Sequence, residues 1–186
     1  MSAPVEPVPR FTIPQLETER LLLRGHTVAD LDDSLSLWSD PEIVRYIGGR
    51  VATREEVWAR VQRYVGHWAL SGFGFWIVRD RATDAFVGEV GLADFQRTLD
   101  LSYHGAAEAG WAISSSAQGK GYALEAVRAA LAWADHHPTL HRRTVCMIEV
   151  GNEPSVRVAT KLGYREYART TYKGEPVVVY DRTATT

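Results

Sequence analysis

The first part of the chain shows one strand-like pattern followed by a helical one. Leu21 and Leu23 share one face of a strand predicted over residues 19–24. After Thr27, which can act as an N-cap, apolar residues recur at spacings of three and four residues, as on one face of a helix. Because the residue before a proline disfavours helical backbone, we expect this first helix to end before Pro41.

A second helix has a clearer start. Thr53 and Glu56 form the sequence signature of a capping box, in which each side chain bonds the backbone N–H of the other residue. Gly72 and Gly74 predict its end. Between these signals, apolar residues fall on one helix face: Val57, Val61, Tyr64, Val65 and Trp68.

From Phe75 onward the hydrophobic pattern changes to that of strands. Residues 75–79 and 86–92 flank a turn-like segment at residues 81–84, which predicts an antiparallel hairpin. A polar stretch then leads to a third strand of this region, over residues 108–113, in which side chains alternate between two faces.

The remaining chain alternates helices and strands. An alanine-rich helix is predicted over residues 119–136, followed by a short apolar strand over 144–150 and a second helix over 152–162. Two final strands are predicted at 166–172 and 176–181. This order of elements indicates one α/β unit of the α+β type.

Length and composition fit a single globular domain. The chain has 186 residues, of which 45% are hydrophobic and 24% charged. We predict one domain over residues 15–186, behind a flexible, proline-rich lead-in at residues 1–14. The net charge of -2 gives no broad positive field, so nucleic-acid binding is not expected.

The cysteine content and the N-terminus indicate a cytoplasmic protein. Cys146 is the only cysteine and lies in an apolar run, so we predict a buried thiol and no disulfide. The N-terminus lacks the pattern of a signal peptide, and no apolar stretch approaches the roughly 20 residues that span a bilayer. We therefore expect no membrane association.

The succession of strand, glycine-rich loop and helix at residues 108–136 carries the main functional signal. A helix N-terminus offers unpaired N–H groups, and glycines at 119 and 121 let a phosphate approach them, which predicts an anion site. Lys120 is followed by Gly121 and Tyr122, not by the Ser or Thr that a Walker loop requires. Leu124 occupies the third glycine position of a dinucleotide fingerprint, so NAD binding is disfavoured too.

The pattern Gln118-x-x-Gly121-x-Ala123 resembles the coenzyme A pyrophosphate loop of the GNAT acetyltransferase superfamily. Glu108-Ala-Gly-Trp-Ala-Ile before this loop, and Gly151-Asn-Glu-Pro-Ser-Val-Arg after it, are similar to the ribosomal-protein N-terminal acetyltransferase-like (RimJ/RimL-type) branch. The resemblance implies the GNAT fold, with a seven-stranded, mostly antiparallel sheet and about four helices. Its parallel fourth and fifth strands, here 108–113 and 144–150, would splay apart.

The resemblance also implies an acyltransferase that uses acetyl-CoA. The pyrophosphate would lie on the glycine-rich loop and the pantetheine arm in the cleft between the splayed strands, with Asn152 and Ser155 at the thioester end. The cofactor-binding residues implied in this way are Trp111, Ala112, Ile113, Gln118, Gly119, Lys120, Gly121, Tyr122, Ala123, Asn152 and Ser155.

Two residues are candidates for catalysis. Glu108, on the strand that would hold the cofactor, is the first candidate for the base that deprotonates an amine; its alternative role is that of a hydrogen-bonded strand carboxylate. Ser155 is the candidate acid for the leaving thiolate, because Ala159 stands where many superfamily members have a tyrosine; its alternative role is helix capping. Lesser candidates for the base are Glu89, Glu149 and His104.

The expected reaction is transfer of an acetyl group to a primary amine, by direct attack in a ternary complex. The acceptor is a peptide or protein N-terminus or a small-molecule amine. Its pocket is expected between the first two helices, the loop at residues 45–50 and the final hairpin at 172–175, with these aromatic residues as candidates for its lining: Tyr46, Trp58, Trp68, Trp76 and Tyr172. The missing tyrosine leaves an alternative, a catalytically inactive acyl-CoA-binding sensor. The histidines, including His136, His137 and His141, lack metal-ligand spacing, so no metal is expected. A homodimer is the default assembly.

Overall fold

The computed structural model describes residues 11–99, 101, 106–140 and 143–184. Residues 1–10 of the predicted lead-in and the candidate His104, like His141, lie outside the described residues. Near the end of that lead-in, the carbonyl of Pro14 accepts a hydrogen bond of 2.8 Å from Nε1 of Trp76.

One mixed sheet of eight strands forms the centre of the molecule, in the order β1-β2-β3-β4-β5-β6-β8-β7. Among the described strands, β5 and β6 form the one parallel pair, and every other neighbouring pair is antiparallel. The strands are β1 (Leu16–Glu17), β2 (Leu21–Arg24), β3 (Phe75–Asp80), β4 (Phe86–Ala93), β5 (Ala107–Ile113), β6 (Arg143–Glu149), β7 (Arg165–Tyr172) and β8 (Glu175–Thr183).

Five α-helices flank this sheet. The side that α4 and α5 cover, called the α4 face below, holds the largest apolar cluster, which includes Val90 of β4 and Cys146 of β6. The opposite side, called the α1 face, is covered over β3 and β4 by the first three helices. The helices are α1 (Leu31–Trp38), α2 (Pro41–Val44), α3 (Arg54–Ser71), α4 (Tyr122–Ala134) and α5 (Glu153–Lys161).

The parallel pair stays together over only two residue pairs. Ala107 lies opposite Thr144 and Glu108 opposite Val145, and no further pairs join these two strands. Beyond this point, β5 remains bonded to β4 as far as Ile113, and β6 remains bonded to β8. The two strands therefore diverge into a V that opens toward their carboxyl ends, as predicted for the fourth and fifth strands.

The expected fold is confirmed, with small differences in the count of elements. The sheet has eight strands rather than seven because the two-residue β1 pairs with β2 through Leu16 and Leu23. An extra helix, α2, begins directly after Asp40, whose side chain accepts a hydrogen bond from the Glu42 amide. Because of this cap, a new helix begins at Pro41, the residue before which the first helix was expected to end.

Candidate active site

The glycine-rich loop ends in an uncapped helix N-terminus. Gly121 is the N-cap of α4 with φ +79°, and no side chain bonds to this end of the helix. The first bond inside the helix runs from the Glu125 amide to the Gly121 carbonyl, at 3.2 Å. The amides ahead of Glu125 have no partner within the helix, which is the arrangement that the sequence predicts for an anion site.

The hydrophobic pattern indicates a helix start at residue 119, but the helix begins at Tyr122. Gly119 and Gly121 have φ of +75° and +79°, a left-handed backbone that glycine adopts without strain. This backbone keeps residues 119–121 outside the helix and turns the chain into its first turn. A side chain at either position would strain the loop, which explains why both positions are glycine.

Arg20 fixes this loop from the start of β2. Its guanidinium donates to the carbonyl of Lys120 at 2.9 Å and to Oε2 of Glu125 at 2.7 Å. The same guanidinium lies 4.7 Å from the ring centroid of Tyr122, whose hydroxyl donates to Asp80 at 2.8 Å. Arg20 therefore joins the loop carbonyl to the first turn of α4, and its charge is paired with that of Glu125. Sequence reasoning missed Arg20, since it lies a hundred residues from the loop and carries no local motif.

The open wall of β5 holds the predicted pantetheine-binding residues. Trp111, Ala112 and Ile113 pair with β4 along one edge, and their other edge faces the gap where β6 has diverged. The side-chain amide of Gln118 donates to the carbonyl of Ile113 at 3.2 Å, which holds the loop against the end of the strand. This free strand edge can pair with an extended, amide-containing chain as another strand would.

Asn152 and Ser155 lie at the carboxyl end of β6, on the other side of the V. The Asn152 side chain is the N-cap of α5 and accepts a hydrogen bond of 3.2 Å from the Ser155 amide. This contact establishes the capping role of Asn152. Ser155 lies half-buried in the first turn of α5. Since α4 and α5 both begin where their preceding strands end, both helix N-termini face the open end of the V.

Glu108 lies at the apex of the V and forms an ion pair. Both of its carboxylate oxygens accept hydrogen bonds of 2.7 Å from Arg97. The Arg97 guanidinium is stacked between Phe95 and Tyr172, at 4.4 and 4.6 Å from their ring centroids. Burial lowers the pKa of Arg97, but the hydrogen bonds to Glu108 outweigh it, so the net pKa is raised. Arg97, which sequence reasoning had not singled out, thus joins the apex to the β7–β8 hairpin.

Glu89 is fully buried between the sheet and α1. It accepts hydrogen bonds from the Ser34 hydroxyl at 2.7 Å and from Nε1 of Trp38 at 2.8 Å, and His26 lies 3.5 Å away. Burial opposes its ionisation, but the interactions with His26, Ser34 and Trp38 lower its pKa. These contacts indicate that Glu89 anchors α1 to β4.

Glu149 ends β6, half-buried and on the α1 face. Cys146 and Ile148 lie in the cluster under α4, so the alternation along the strand places Glu149 on the opposite side. Burial raises the pKa of this carboxyl, and the like charge of Glu175 on β8 raises it further.

Part of the predicted acceptor pocket meets the end of β6. A Cβ placed on Gly151 would lie 3.8 Å from Tyr46, in the loop after α2. The Ser115 hydroxyl donates to the Asp40 carboxylate, which ties the start of α2 to the chain after β5. Of the predicted pocket aromatics, Trp68 and Trp76 are buried core residues, with ring centroids 4.8 Å apart.

The described residues lack two kinds of feature. No group of three or more His, Cys, Asp or Glu side chains in this part of the chain is arranged to hold a metal ion. Within the same described ranges, no helix has the length and the apolar character needed to cross a membrane.

Comparison with known proteins assigns the family. Residues 20–165 match the acetyltransferase (GNAT) domain family. The chain is 32% identical to the uncharacterized N-acetyltransferase YnaD of Bacillus subtilis (strain 168) over 152 residues, which cover 81% of this chain and 82% of that protein. A GnaT-family acetyltransferase structure from Bordetella pertussis superposes with a TM-score of 0.79 at 29% identity, over 91% of this chain and 99% of that one.

The fold is also shared with a more distant acetyltransferase. The structure of RimL, a ribosomal L7/L12 alpha-N-protein acetyltransferase in complex with coenzyme A, superposes with a TM-score of 0.75 at 17% identity. The superposition covers 91% of this chain and 98% of RimL. Together with the splayed strands and the uncapped loop, these matches show that the chain belongs to the GNAT acetyltransferase family and is an acyltransferase that uses acetyl-CoA.

Proposed function

We propose that the protein transfers the acetyl group of acetyl-CoA directly to a primary amine in a ternary complex. The observation that carries this proposal is the V between β5 and β6, which has the uncapped N-terminus of α4 at its open end. An extended thioester can lie along one wall of the V while an amine approaches from the α1 face. Both substrates would then meet without a covalent enzyme intermediate.

The donor site fits the parts of acetyl-CoA in order. The amides that open α4 suit the diphosphate, Lys120 supplies a positive charge in the same loop, and Arg20 holds the loop in place. The free edge of β5 at residues 111–113 suits the amides of the pantetheine arm. We therefore propose that all the cofactor-binding residues predicted from the sequence act through this loop, this strand edge and the start of α5.

The departure of the thiolate requires only a weak acid. A thiol with a cysteine-like pKa of about 8.5 leaves readily near neutral pH, so a single hydroxyl suffices. We propose that Ser155 supplies this proton from the first turn of α5, with Asn152 holding that turn in place. Ala159 stands at the position of the tyrosine that many superfamily members use. It cannot act as the acid, because an alanine side chain has no acidic proton, and it is fully buried.

The contacts of Glu108 favour the structural alternative that the sequence left open. Its two hydrogen bonds to Arg97 hold the guanidinium against the ring of Tyr172. We propose that Glu108, Arg97 and Tyr172 form the floor of the acceptor site. Exchange of Glu108 for Gln would therefore weaken amine binding more than it changes the pH profile. A lost acidic limb in the pH profile would instead show that Glu108 is the base.

We propose as the acceptor a peptide or protein N-terminus, or a small-molecule amine, bound on the α1 face beyond α1–α3. The fold-level likeness to RimL supports the first class, and the Tyr46 loop and the β7–β8 hairpin bound the approach. From the sequence we also propose that the protein is a homodimer and is located in the cytoplasm.

The proposal is tested by thiol release from acetyl-CoA over a panel of amines that includes a peptide with a free N-terminal serine. Turnover on at least one amine, above the rate of hydrolysis, is expected. CoA binding without turnover on any amine would favour the inactive sensor, which the missing tyrosine suggests. Calorimetry with ATP and magnesium is the companion control, and ATP binding in place of CoA binding would contradict the assignment of the loop.

A further inference from the structure

Three glutamates were candidates for the base, and the structure separates them by their contacts. Both oxygens of Glu108 accept from Arg97, and both oxygens of Glu89 accept from side chains of α1. The side-chain carboxylate of Glu149 has no hydrogen bond or ion pair with any described residue. Of these three carboxylates, only that of Glu149 is not already committed to a protein donor.

The position of Glu149 places it between the two halves of the reaction. The Asn152 amide donates to the Glu149 carbonyl at 3.1 Å, so a tight turn joins this residue to the start of α5. Ser155 follows on α5, which packs on the α4 face, whereas the Glu149 side chain is on the α1 face. A thioester near this turn would have the proposed acid on one side and Glu149 on the side that the amine approaches.

From this geometry we infer that Glu149 is the general base of the acetyl transfer, an assignment that rests on the proposed function. Its carboxylate accepts a proton from the acceptor ammonium, and the freed lone pair of the nitrogen forms the new C–N bond with the acetyl carbon. The attacking nitrogen loses its second proton to solvent, and the carbonyl re-forms as the C–S bond breaks. The sulfur leaves with its electron pair and takes a proton from Ser155, which regains one from solvent, and Glu149 returns its proton to solvent.

The surroundings of Glu149 suit a proton acceptor. An amine of pKa about 8 to 10 needs a base that is not too weak. Partial burial and the like charge of Glu175 raise the pKa of Glu149 from its ordinary value, which makes the carboxylate a better acceptor. The register of the sheet brings Glu175 close to Glu149. Val177 lies directly opposite Glu149, and Glu175 is two residues from Val177 on the same face of β8.

Other charged groups on the α1 face lie farther along the strands or are already paired. Asp181 pairs with Arg143 at the far end of β6, and Glu108 pairs with Arg97 at the apex. The described groups at the mouth also include Tyr172, opposite Glu175 and 5.5 Å from the Lys173 ammonium, and Tyr46, beside Gly151 and 5.2 Å from the Arg45 guanidinium. A pH dependence centred below neutrality would therefore report on Glu149 and Glu175.

The test compares Glu149→Gln with wild type on the best amine of the panel, with acetyl-CoA saturating. We expect kcat/KM to fall by about 100-fold, mainly through kcat, with CoA affinity and the thermal midpoint unchanged. The acidic limb of the pH profile should disappear in this variant. In Glu175→Gln, removal of the like charge should move that limb to lower pH.

Glu166→Gln is the matched control, since Glu166 pairs with Arg169 on β7 and lies opposite Tyr180, on the α4 face. This control should keep the wild-type rate and pH profile. An active wild type with an unaffected Glu149→Gln, or a loss confined to KM, would overturn the base assignment alone. A wild type that binds CoA but acetylates no amine would instead refute the proposed function, and with it this inference.

Discussion

At the scale of single residues, backbone conformation shapes the proposed cofactor site. Gly121 closes the loop with a left-handed φ and leaves the amides of α4 free. The sequence indicated this anion site because two glycines and a helix start adjoin. It could not indicate Arg20, whose contact with Lys120 arises only when β2 and the loop are brought together in the fold.

Gly121→Glu is expected to abolish CoA binding, with affinity lowered by more than about 100-fold, because it places a negative charge at the anion site. Gly163→Glu is the matched control, since Gly163 has φ +87° and open space around it at the end of α5. Both variants carry a left-handed backbone cost of about 1–2 kcal/mol. Calorimetry should show CoA affinity retained in the control; equal loss in both variants would mean that strain, not the anion site, is responsible.

Cys146 provides a second test at this scale. The thiol is buried, and burial raises its pKa well above the ordinary value, so little thiolate exists at neutral pH. Iodoacetamide should therefore label the native protein at least about tenfold more slowly than the unfolded chain. Equal labelling rates, followed by mass spectrometry, would show that β6 is not packed under α4 as described.

At the scale of elements, local signals predicted the helix that has a strong cap and misplaced the one that lacks it. Thr53 and Glu56 form the capping box that the sequence indicated, and α3 begins at Arg54. For α4, the apolar pattern extends ahead of the helix, and only the conformations of Gly119 and Gly121 move its start to Tyr122. The splay of β5 from β6 has no local signal and entered through the family resemblance.

The capping box of α3 predicts a measurable loss of stability. Thr53→Ala removes the side chain that accepts from the Glu56 amide, and we expect the free energy of unfolding to fall by about 1 kcal/mol. Urea denaturation measures this change. Thr160→Ala, at an exposed position within α5, should be neutral or slightly stabilising because alanine favours helix. A Thr53 variant as stable as wild type would contradict the capping role.

At the scale of the whole molecule, the order of helices and strands was predictable, whereas the buried polar contacts between distant elements were not. Asp30, next to α1, accepts hydrogen bonds from Arg24 on β2 and Arg79 on β3. Glu89 on β4 binds two side chains of α1 in the same region. These contacts fix the first helices to the sheet. No periodic pattern in the sequence predicts them.

These carboxylates predict a loss of stability in acid. Burial opposes the ionisation of Asp30, but the hydrogen bonds from Arg24, Thr27 and Arg79 hold its pKa well below the ordinary value. A carboxyl with a depressed folded-state pKa stabilises the fold above its unfolded pKa of about 4 and loses this contribution as pH falls below it. The thermal midpoint should therefore decline below about pH 4.

Asp30→Asn should lower the thermal midpoint at pH 7 and flatten this decline, because the variant has one fewer carboxyl to protonate. Asp32→Asn is the control, since Asp32 is exposed and pairs with Arg54, which is also exposed. The control should follow the wild-type curve. An acid decline of unchanged steepness in Asp30→Asn would show that other groups control it.

The central claim is that the amides at the start of α4 hold the diphosphate of an acyl carrier. Calorimetric titration of CoA into the wild-type protein tests it most directly. One molecule of CoA per chain, bound with an affinity that weakens as salt is raised, is the predicted result. Absence of any heat or saturation with CoA and with acetyl-CoA, for a protein that is folded by circular dichroism, would contradict the account.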